Sequence, residues 1–121
     1  LKNFSKKLDK TKFSVFVNLS ARVGSITDNR LGGWISYRSS KAALNQIIKT
    51  SSIEINRRNK NAICVGLHPG TVKTRFTEKF QNTTETISPD ESVKMMMKVV
   101  ENLSVDDNGY CFAYDGKVIP A

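Results

Sequence analysis

Hydrophobic residues recur along the chain with two alternating spacings, one typical of helices and one typical of strands. Short runs rich in β-branched and aromatic residues are too brief for helices and are predicted to be strands. Between them, hydrophobic residues return every three or four positions, which is the spacing of one helical face. The pattern predicts, in order, a helix over 1–10, a strand over 14–20, a helix over 36–57, a strand over 62–67, a helix from Ser88 and a strand over 109–114.

The two long helices have recognisable ends and inward faces. Residues 56–59 end the first helix with cationic and turn-forming side chains. Ser88, followed by Pro89 and by Glu91 three positions after it, predicts a capped start for the second. The inward stripes are predicted to be Leu44, Ile47, Ile48, Ser51 and Ile55 in the first helix and Val93, Met96, Met97, Val100 and Leu103 in the second.

The run over 62–67, Ala-Ile-Cys-Val-Gly-Leu, contains no charged or strongly polar position. An unbroken apolar strand of this kind suits a parallel sheet that helices cover on both faces. Combined with the alternation of helices and strands, it predicts an α/β fold with a largely parallel sheet and right-handed crossovers. We expect residues 1–121 to form a single unit.

Composition narrows the classes of function. The 121 residues are 39% hydrophobic and 25% charged, with no apolar run near the about 18–20 residues that cross a bilayer and no signal peptide, so we expect a cytoplasmic protein without a membrane partner. The 19 Lys+Arg against 11 Asp+Glu give a net charge of +8, but these residues are scattered, so no nucleic-acid partner is predicted. Cys64 and Cys111 lack the spacing of a metal site or disulfide framework and are expected to be buried thiols.

The strongest candidate for chemistry is the pair Tyr37 and Lys41 at the start of the first long helix. Residues four positions apart lie on one helical face, so the hydroxyl and the ammonium can approach each other. A nearby ammonium favours the phenolate form of a tyrosine and suits it to proton exchange near neutral pH. A Tyr-x-x-x-Lys match alone also occurs as a surface pair, so the flanking segments decide its meaning.

Those flanking segments resemble the short-chain dehydrogenase/reductase superfamily. The strand before the helix ends in Asn18-Leu-Ser-Ala-Arg-Val-Gly-Ser25, and the strand after it leads into Pro69-Gly-Thr-Val-Lys-Thr74. Residues 24–45 are similar to the C-factor and sniffer-type carbonyl reductase branch, and the similarity extends to residues 114–116. The resemblance implies the carboxyl-terminal part of a Rossmann-like, doubly wound, mostly parallel sheet, comprising its last three strands and their flanking helices.

The same resemblance implies an oxidoreductase that transfers a hydride between NADP or NAD and a small carbonyl or alcohol substrate. Tyr37 matches the family's acid/base residue, and Lys41 matches the lysine that tunes it and binds the nicotinamide ribose. Residues 71–87 are expected to be a mobile lid over the substrate. The turn expected to hold the nicotinamide carboxamide contributes Pro69, Gly70, Thr71, Val72 and Thr74.

One position departs from the family's pattern. Ala21 stands where the family has its catalytic serine. Ser20 lies one residue earlier, on the opposite face if the strand continues, and Ser25 follows four residues later. Either Ser20 or Ser25 supplies the hydroxyl that polarises the substrate, with Ser20 preferred, or that group is absent.

A second departure concerns the cofactor. Family members carry a glycine-rich phosphate loop in their amino-terminal half, and no such turn occurs in these 121 residues. We therefore expect the isolated chain to bind dinucleotide negligibly and to leave the strand at 14–20 as an unpaired edge. The alternative interpretation is a non-catalytic interaction or signalling protein of the same fold.

We make four further predictions. The resemblance implies a homodimer formed through the helices at 1–10 and 36–57. His68, the sole histidine, is expected to be a hydrogen-bonded structural residue, and Asn45 is expected at a contact between helices. Trp34, just before the helix, either lines the substrate pocket or packs within the fold.

Overall fold

The structure is a computed structural model that describes residues 7–8, 10–75, 77 and 86–121. Strands β1 (Ser14–Leu19), β2 (Ala62–His68), β3 (Cys111–Ala113) and β4 (Val118–Ile119) form one sheet in the order β1-β2-β3-β4. Neighbouring strands run parallel except β4, which is antiparallel to β3. Helices α1 (Ile35–Arg58) and α2 (Pro89–Glu101) connect the parallel strands. The predicted α/β class with a mostly parallel sheet is confirmed.

The sheet lies between the two helices because side chains alternate between its faces. On one face, Ala62 and Cys64 of β2 pack with Ile48 and Ile55 of α1. On the other face, a second cluster joins the sheet to α2; its members are Ile63, Val65, Leu67 and Phe112, with Met96, Val99, Val100 and Leu103 packed against them. The apolar run of β2 is therefore covered on both sides, as its composition predicts.

The inward face of α1 is rotated slightly from the predicted stripe. Ile48 and Ile55 are buried, but Ile47 is 50% exposed and Ser52 is 1% exposed. A serine fits because the segment before β3 passes close to the helix: Asn108 Nδ2 donates to the Ser52 carbonyl at 3.1 Å, and the Ser52 side chain lies against Gly109. The prediction of Ile47 as an inward residue is therefore wrong.

In α2 the predicted start is confirmed and part of the predicted face is wrong. The Ser88 side chain accepts a hydrogen bond from the Glu91 backbone N–H at 3.2 Å, as an N-cap does. Val93 and Met97 are about half exposed, however. The face that packs on the sheet follows 92, 96, 99 and 103 instead, because buried Ser92 is fixed to the loop after β2.

The carboxyl-terminal region contains a strand that hydrophobic spacing does not predict. The strand expected over 109–114 is shortened to Cys111–Ala113, and the chain then turns back to form β4. Ala113 N donates to the Lys117 carbonyl and Gly116 N to the Ala113 carbonyl, and Gly116 adopts φ 84°. The sheet of the described residues therefore has four strands rather than three.

Several predictions concern the edges of the described region. The helix expected over 1–10 lies mostly outside the described residues, although Leu8 packs beside the Ile48 cluster. β1 is an edge strand of the sheet that the described residues form.

Cys64 and Cys111 are free, and burial raises the pKa of both thiols. No helix in the described part of the chain has the length and apolar character needed to cross a membrane.

Candidate active site

The carboxyl ends of β1 and β2 lie side by side. Leu19 is in register with Leu67, and Ser20 N donates to the Leu67 carbonyl at 2.9 Å. The loop that leads to α1 and the turn at 69–74 therefore leave the sheet at the same edge, the one formed by the carboxyl ends of its strands. In open α/β sheets this edge is where ligands bind.

Tyr37 and Lys41 occupy the first two turns of α1 above that edge. The Lys41 Nζ lies 5.9 Å from the centroid of the Tyr37 ring. The same amine donates to the Leu19 carbonyl at 3.3 Å, at the end of β1. The lysine amine therefore lies beside the tyrosine ring, and the pair stands next to the end of β1.

The first turns of α1 lie in very close contact with the 3₁₀ turn that follows β1. Residues Arg22–Gly24 form a short 3₁₀ turn directly after β1. A methyl group added at Gly24 would lie 2.7 Å from the carbonyl carbon of Lys41 and 2.8 Å from Asn45 Nδ2. Only a residue without a side chain allows this approach, so the turn fixes the helix segment that carries Lys41.

Ser20 and Ser25, the two candidates for the role of the family's serine, are both hydrogen-bonded within the fold. Ser20 is buried, and its hydroxyl donates to Asn45 Oδ1 at 2.5 Å. The Ser25 hydroxyl accepts from the Asp28 backbone N–H at 3.0 Å and donates to the Ala121 carbonyl at 3.4 Å. Ala21 is buried between them in an extended conformation. A catalytic role for Ser20 or Ser25 stays a prediction.

The turn after β2 is fixed at its first residues. The Ser92 hydroxyl of α2 donates to the Pro69 carbonyl at 2.6 Å. Gly70 has φ 81°, and a methyl group there would lie 2.9 Å from the Tyr114 ring. Glycine is therefore required at position 70 by both its backbone conformation and its packing.

Backbone hydrogen bonds join the beginning and the end of the predicted lid, residues 71–87. Thr71 to Lys73 pairs with Ile87 as a short parallel bridge, with Lys73 N donating to the Ile87 carbonyl at 2.9 Å. Thr77 donates its hydroxyl hydrogen to the Val72 carbonyl at 2.6 Å and accepts from Thr74 N at 2.9 Å. The two ends of the 71–87 segment are thus tied together, and residues 76 and 78–85, which form its middle, lie outside the described residues.

His68 ends β2 immediately before this turn. Its Nδ1 atom is buried and has no hydrogen-bond partner among the described residues, so the prediction of a hydrogen-bonded histidine is wrong for this atom. Burial, reinforced by Arg22 and partly opposed by Asp115, lowers the pKa of His68 to about 4. The imidazole is therefore neutral at pH 7.

The shifted pKa of His68 predicts a pH-dependent stability. Because the unfolded chain binds a proton near pH 6.5 and the folded chain only near pH 4, the free energy of unfolding should fall as the pH drops through this interval. The contribution of one such group has a limiting slope of about 1.4 kcal/mol per pH unit. Urea titrations at several pH values measure the free energy of unfolding. Its dependence on pH should be weaker in His68→Gln than in the wild-type protein, and equal dependence in the two proteins would contradict the lowered pKa of His68.

Asn45 and Ser92 make contacts at the site that residue spacing does not predict. Asn45 contacts the sheet, since its Oδ1 accepts from Ser20 and from Cys111 Sγ at 3.4 Å. Ser92 anchors the turn and appears in the sequence only as a serine in line with Met96, Val99 and Leu103.

No group of three or more His, Cys, Asp or Glu side chains in the described part of the chain is placed to hold a metal ion.

Comparisons with curated proteins find similarity to oxidoreductases and to C-signal. No family model matches the chain. An uncharacterized oxidoreductase of Schizosaccharomyces pombe is 36% identical over 98% of this chain and 51% of its own length. C-signal of Myxococcus xanthus is 33% identical over 85% of this chain and 58% of its own.

The chain is also similar to solved structures of carbonyl reductases. The NADPH-bound carbonyl reductase from chicken fatty liver is 39% identical with a TM-score of 0.74, covering 88% of this chain and 42% of that one. Carbonyl reductase Sniffer of D. melanogaster is 29% identical with a TM-score of 0.81, covering 100% of this chain and 48% of that one.

The chain belongs to the short-chain dehydrogenase/reductase superfamily. Within it, the chain is similar to the C-factor and sniffer-like carbonyl reductases. It spans about half the length of the curated relatives it matches.

Proposed function

We propose that the polypeptide carrying this chain is an NADP- or NAD-dependent oxidoreductase that interconverts a small carbonyl compound and its alcohol. The observation that carries the proposal is the Lys41 amine, 5.9 Å from the Tyr37 ring and hydrogen-bonded to the last residue of β1. This pair stands at the sheet edge from which the 69–74 turn also leaves. Proton donor, cation and ligand-binding edge are thereby adjacent.

The residues at this edge suit the nicotinamide end of the cofactor. Lys41 offers an ammonium for ribose hydroxyls, and Thr74 is an exposed polar residue of a turn whose start is anchored by Ser92. The buried, unpartnered His68 Nδ1 leaves further hydrogen-bonding capacity at the same strand end. We assign the nicotinamide contacts to Tyr37, Lys41, Pro69, Gly70, Thr71, Val72 and Thr74. The chicken carbonyl reductase contains NADPH, which supports this cofactor class.

Lys41 and the 69–74 turn would hold a reduced nicotinamide, which would supply a hydride to the carbonyl carbon. Tyr37 completes the reduction by donating its hydroxyl proton to the carbonyl oxygen, so that the product is an alcohol. Lys41 stabilises the negative charge that the phenolate then carries, because its ammonium lies 5.9 Å from the Tyr37 ring and opposite charges attract. Solvent returns a proton to Tyr37 before the next turnover.

The phosphates of the cofactor need a second element. These 121 residues contain no glycine-rich phosphate loop, so we assign that function to the portion of the relatives that this chain does not cover. Calorimetry on the 121-residue chain alone should accordingly detect negligible binding of NADPH, and a submicromolar dissociation constant would contradict this division.

The function is tested by following NADPH and NADH oxidation with the natural polypeptide that carries this sequence. Aldehydes and quinones are suitable carbonyl substrates, and a mixture without carbonyl is the control. We expect oxidation that depends on both protein and carbonyl. If the folded protein oxidises neither cofactor with either substrate class, the proposed function is wrong.

A second candidate is a non-catalytic signalling or interaction protein. It is favoured by Ala21, which lacks the hydroxyl of the family's serine, and by the hydrogen bonds that engage Ser20 and Ser25 within the fold. Similarity to C-signal of M. xanthus also supports it. A folded protein without turnover in the assay above would favour this candidate.

We also propose a cytoplasmic homodimer. The two free thiols, buried in Cys64 and partly buried in Cys111, are compatible with a reducing compartment. Ile47 and Ile53 of α1 are each about half exposed and supply apolar contact area on the outer side of this helix. Sedimentation velocity should find a dimer that Ile47→Glu weakens, whereas a monomer in the wild-type protein would contradict the assignment.

A further inference from the structure

The residues immediately before α1 have an unusual backbone. Gly32, Gly33 and Trp34 adopt φ values of 66°, 73° and 49°, so three successive residues are left-handed. Trp34 is the non-glycine residue with positive φ in the described part of the chain. This conformation is unfavourable for a bulky L-residue, and such strain persists where the surroundings enforce it.

Arg38 enforces this conformation. Its Nε donates to the Gly33 carbonyl at 3.0 Å and also approaches the Gly32 carbonyl at 3.3 Å. Its Nη1 reaches the Val23 carbonyl at 3.5 Å, in the 3₁₀ turn. Arg38 N also closes the first helical hydrogen bond to the Trp34 carbonyl at 2.8 Å. One side chain and its own amide thus tie the left-handed segment to α1 and to the 3₁₀ turn after β1.

The result of this strain is the position of the indole. The Trp34 ring centroid lies 6.5 Å from that of Tyr37, with the planes tilted by 60°. Trp34 is nevertheless 56% exposed, and its neighbours Leu31 and Ile35 are more exposed still. The left-handed backbone therefore goes together with an indole that is more than half exposed and lies next to the proposed proton donor.

We infer that Trp34 determines substrate specificity, by forming the wall against which a planar aromatic group of the substrate packs. This inference rests on the proposed function, which orients the carbonyl oxygen toward Tyr37. The short separation of the two rings suits a carbonyl attached directly to an aromatic ring, as in aryl ketones and aryl aldehydes. Aromatic groups prefer such tilted or offset contacts, and these contribute beyond burial of apolar area.

The test compares acetophenone with cyclohexyl methyl ketone, which has a saturated ring of similar size. Wild-type protein should favour acetophenone in kcat/KM, and Trp34→Phe should keep that preference. Trp34→Asn removes the ring but keeps a residue that tolerates the left-handed conformation, and it should reduce the preference about five- to tenfold, mainly through KM. Trp34→Gly is a second ring-free variant that adopts positive φ without strain.

An unchanged preference in the folded ring-free variants would overturn the inference. If the wild-type protein reduces no carbonyl compound, the proposed function fails, and calorimetric binding of acetophenone then decides the role of Trp34. Binding that weakens about five- to tenfold in Trp34→Asn, but not in Trp34→Phe, supports the aromatic wall. Absent binding, or equal binding by wild type and Trp34→Asn, overturns it.

Discussion

Replacing Tyr37 by phenylalanine is expected to lower kcat about 10²–10⁴-fold, the contribution typical of a positioned proton donor. The substitution removes one oxygen atom and leaves the ring beside Lys41 and Trp34. Cofactor binding should therefore change little, since Lys41 and the 69–74 turn remain. Steady-state kinetics of carbonyl reduction and calorimetry with NADPH on the natural polypeptide measure the two effects separately.

Tyr110→Phe is the matched control for that experiment. Tyr110 is also partly exposed and also lies beside a lysine of α1, with Lys49 Nζ 5.7 Å from its ring. It precedes β3 and is outside the proposed site, so kcat should be unchanged. Undiminished turnover in Tyr37→Phe, or an equal loss in both variants, would remove Tyr37 from the reaction.

Gly24→Ala is expected to damage both the fold and the site. The added methyl group would lie within 2.8 Å of the Lys41 backbone carbonyl, and a helix backbone cannot move aside as a flexible side chain can. Overpacking against a fixed backbone should cost about 3 kcal/mol of unfolding free energy, the upper end of the usual range. Displacement of the helix at Lys41 should also lower kcat. Urea denaturation and the turnover assay measure these two effects.

Gly116→Ala adds the same group where space is available, since the nearest heavy atom is 3.9 Å away. Because Gly116 has φ 84°, this variant should lose about 1 kcal/mol from its left-handed conformation. Its turnover should be unchanged. A Gly24→Ala protein as stable and active as Gly116→Ala would show that the contact between the 3₁₀ turn and α1 is not needed.

Local signals in the sequence predict the main elements well. The unbroken apolar run of β2 and the capped start of α2 depend on neighbouring residues, and both are confirmed. β4 is missed because two residues, Val118 and Ile119, are too few to show a period, and the turn at Gly116 brings them to β3. Ile47 and Val93 are misassigned because hydrophobic spacing does not reveal which small polar residues the packed segments require.

In the candidate site, too, residue spacing predicts some contacts and misses others. Tyr37 and Lys41 are predicted to be neighbours because helical spacing alone brings them together. The bond of Ser20 to Asn45 joins residues 25 positions apart, and that of Ser92 to Pro69 joins residues 23 apart. Contacts of this kind depend on the relative position of whole elements, so residue spacing does not predict them. The strained backbone at Trp34 likewise becomes visible only in the structure.

The central claim is that Tyr37 and Lys41 serve hydride transfer between a nicotinamide and a carbonyl carbon. It is tested most directly by incubating the natural polypeptide with benzaldehyde and NADPH that carries deuterium at both C4 positions. We expect benzyl alcohol with one deuterium on its carbinol carbon, formed about 10²–10⁴-fold faster by the wild-type protein than by Tyr37→Phe. Alcohol without deuterium, or equal rates of labelled product from both proteins, would contradict the claim.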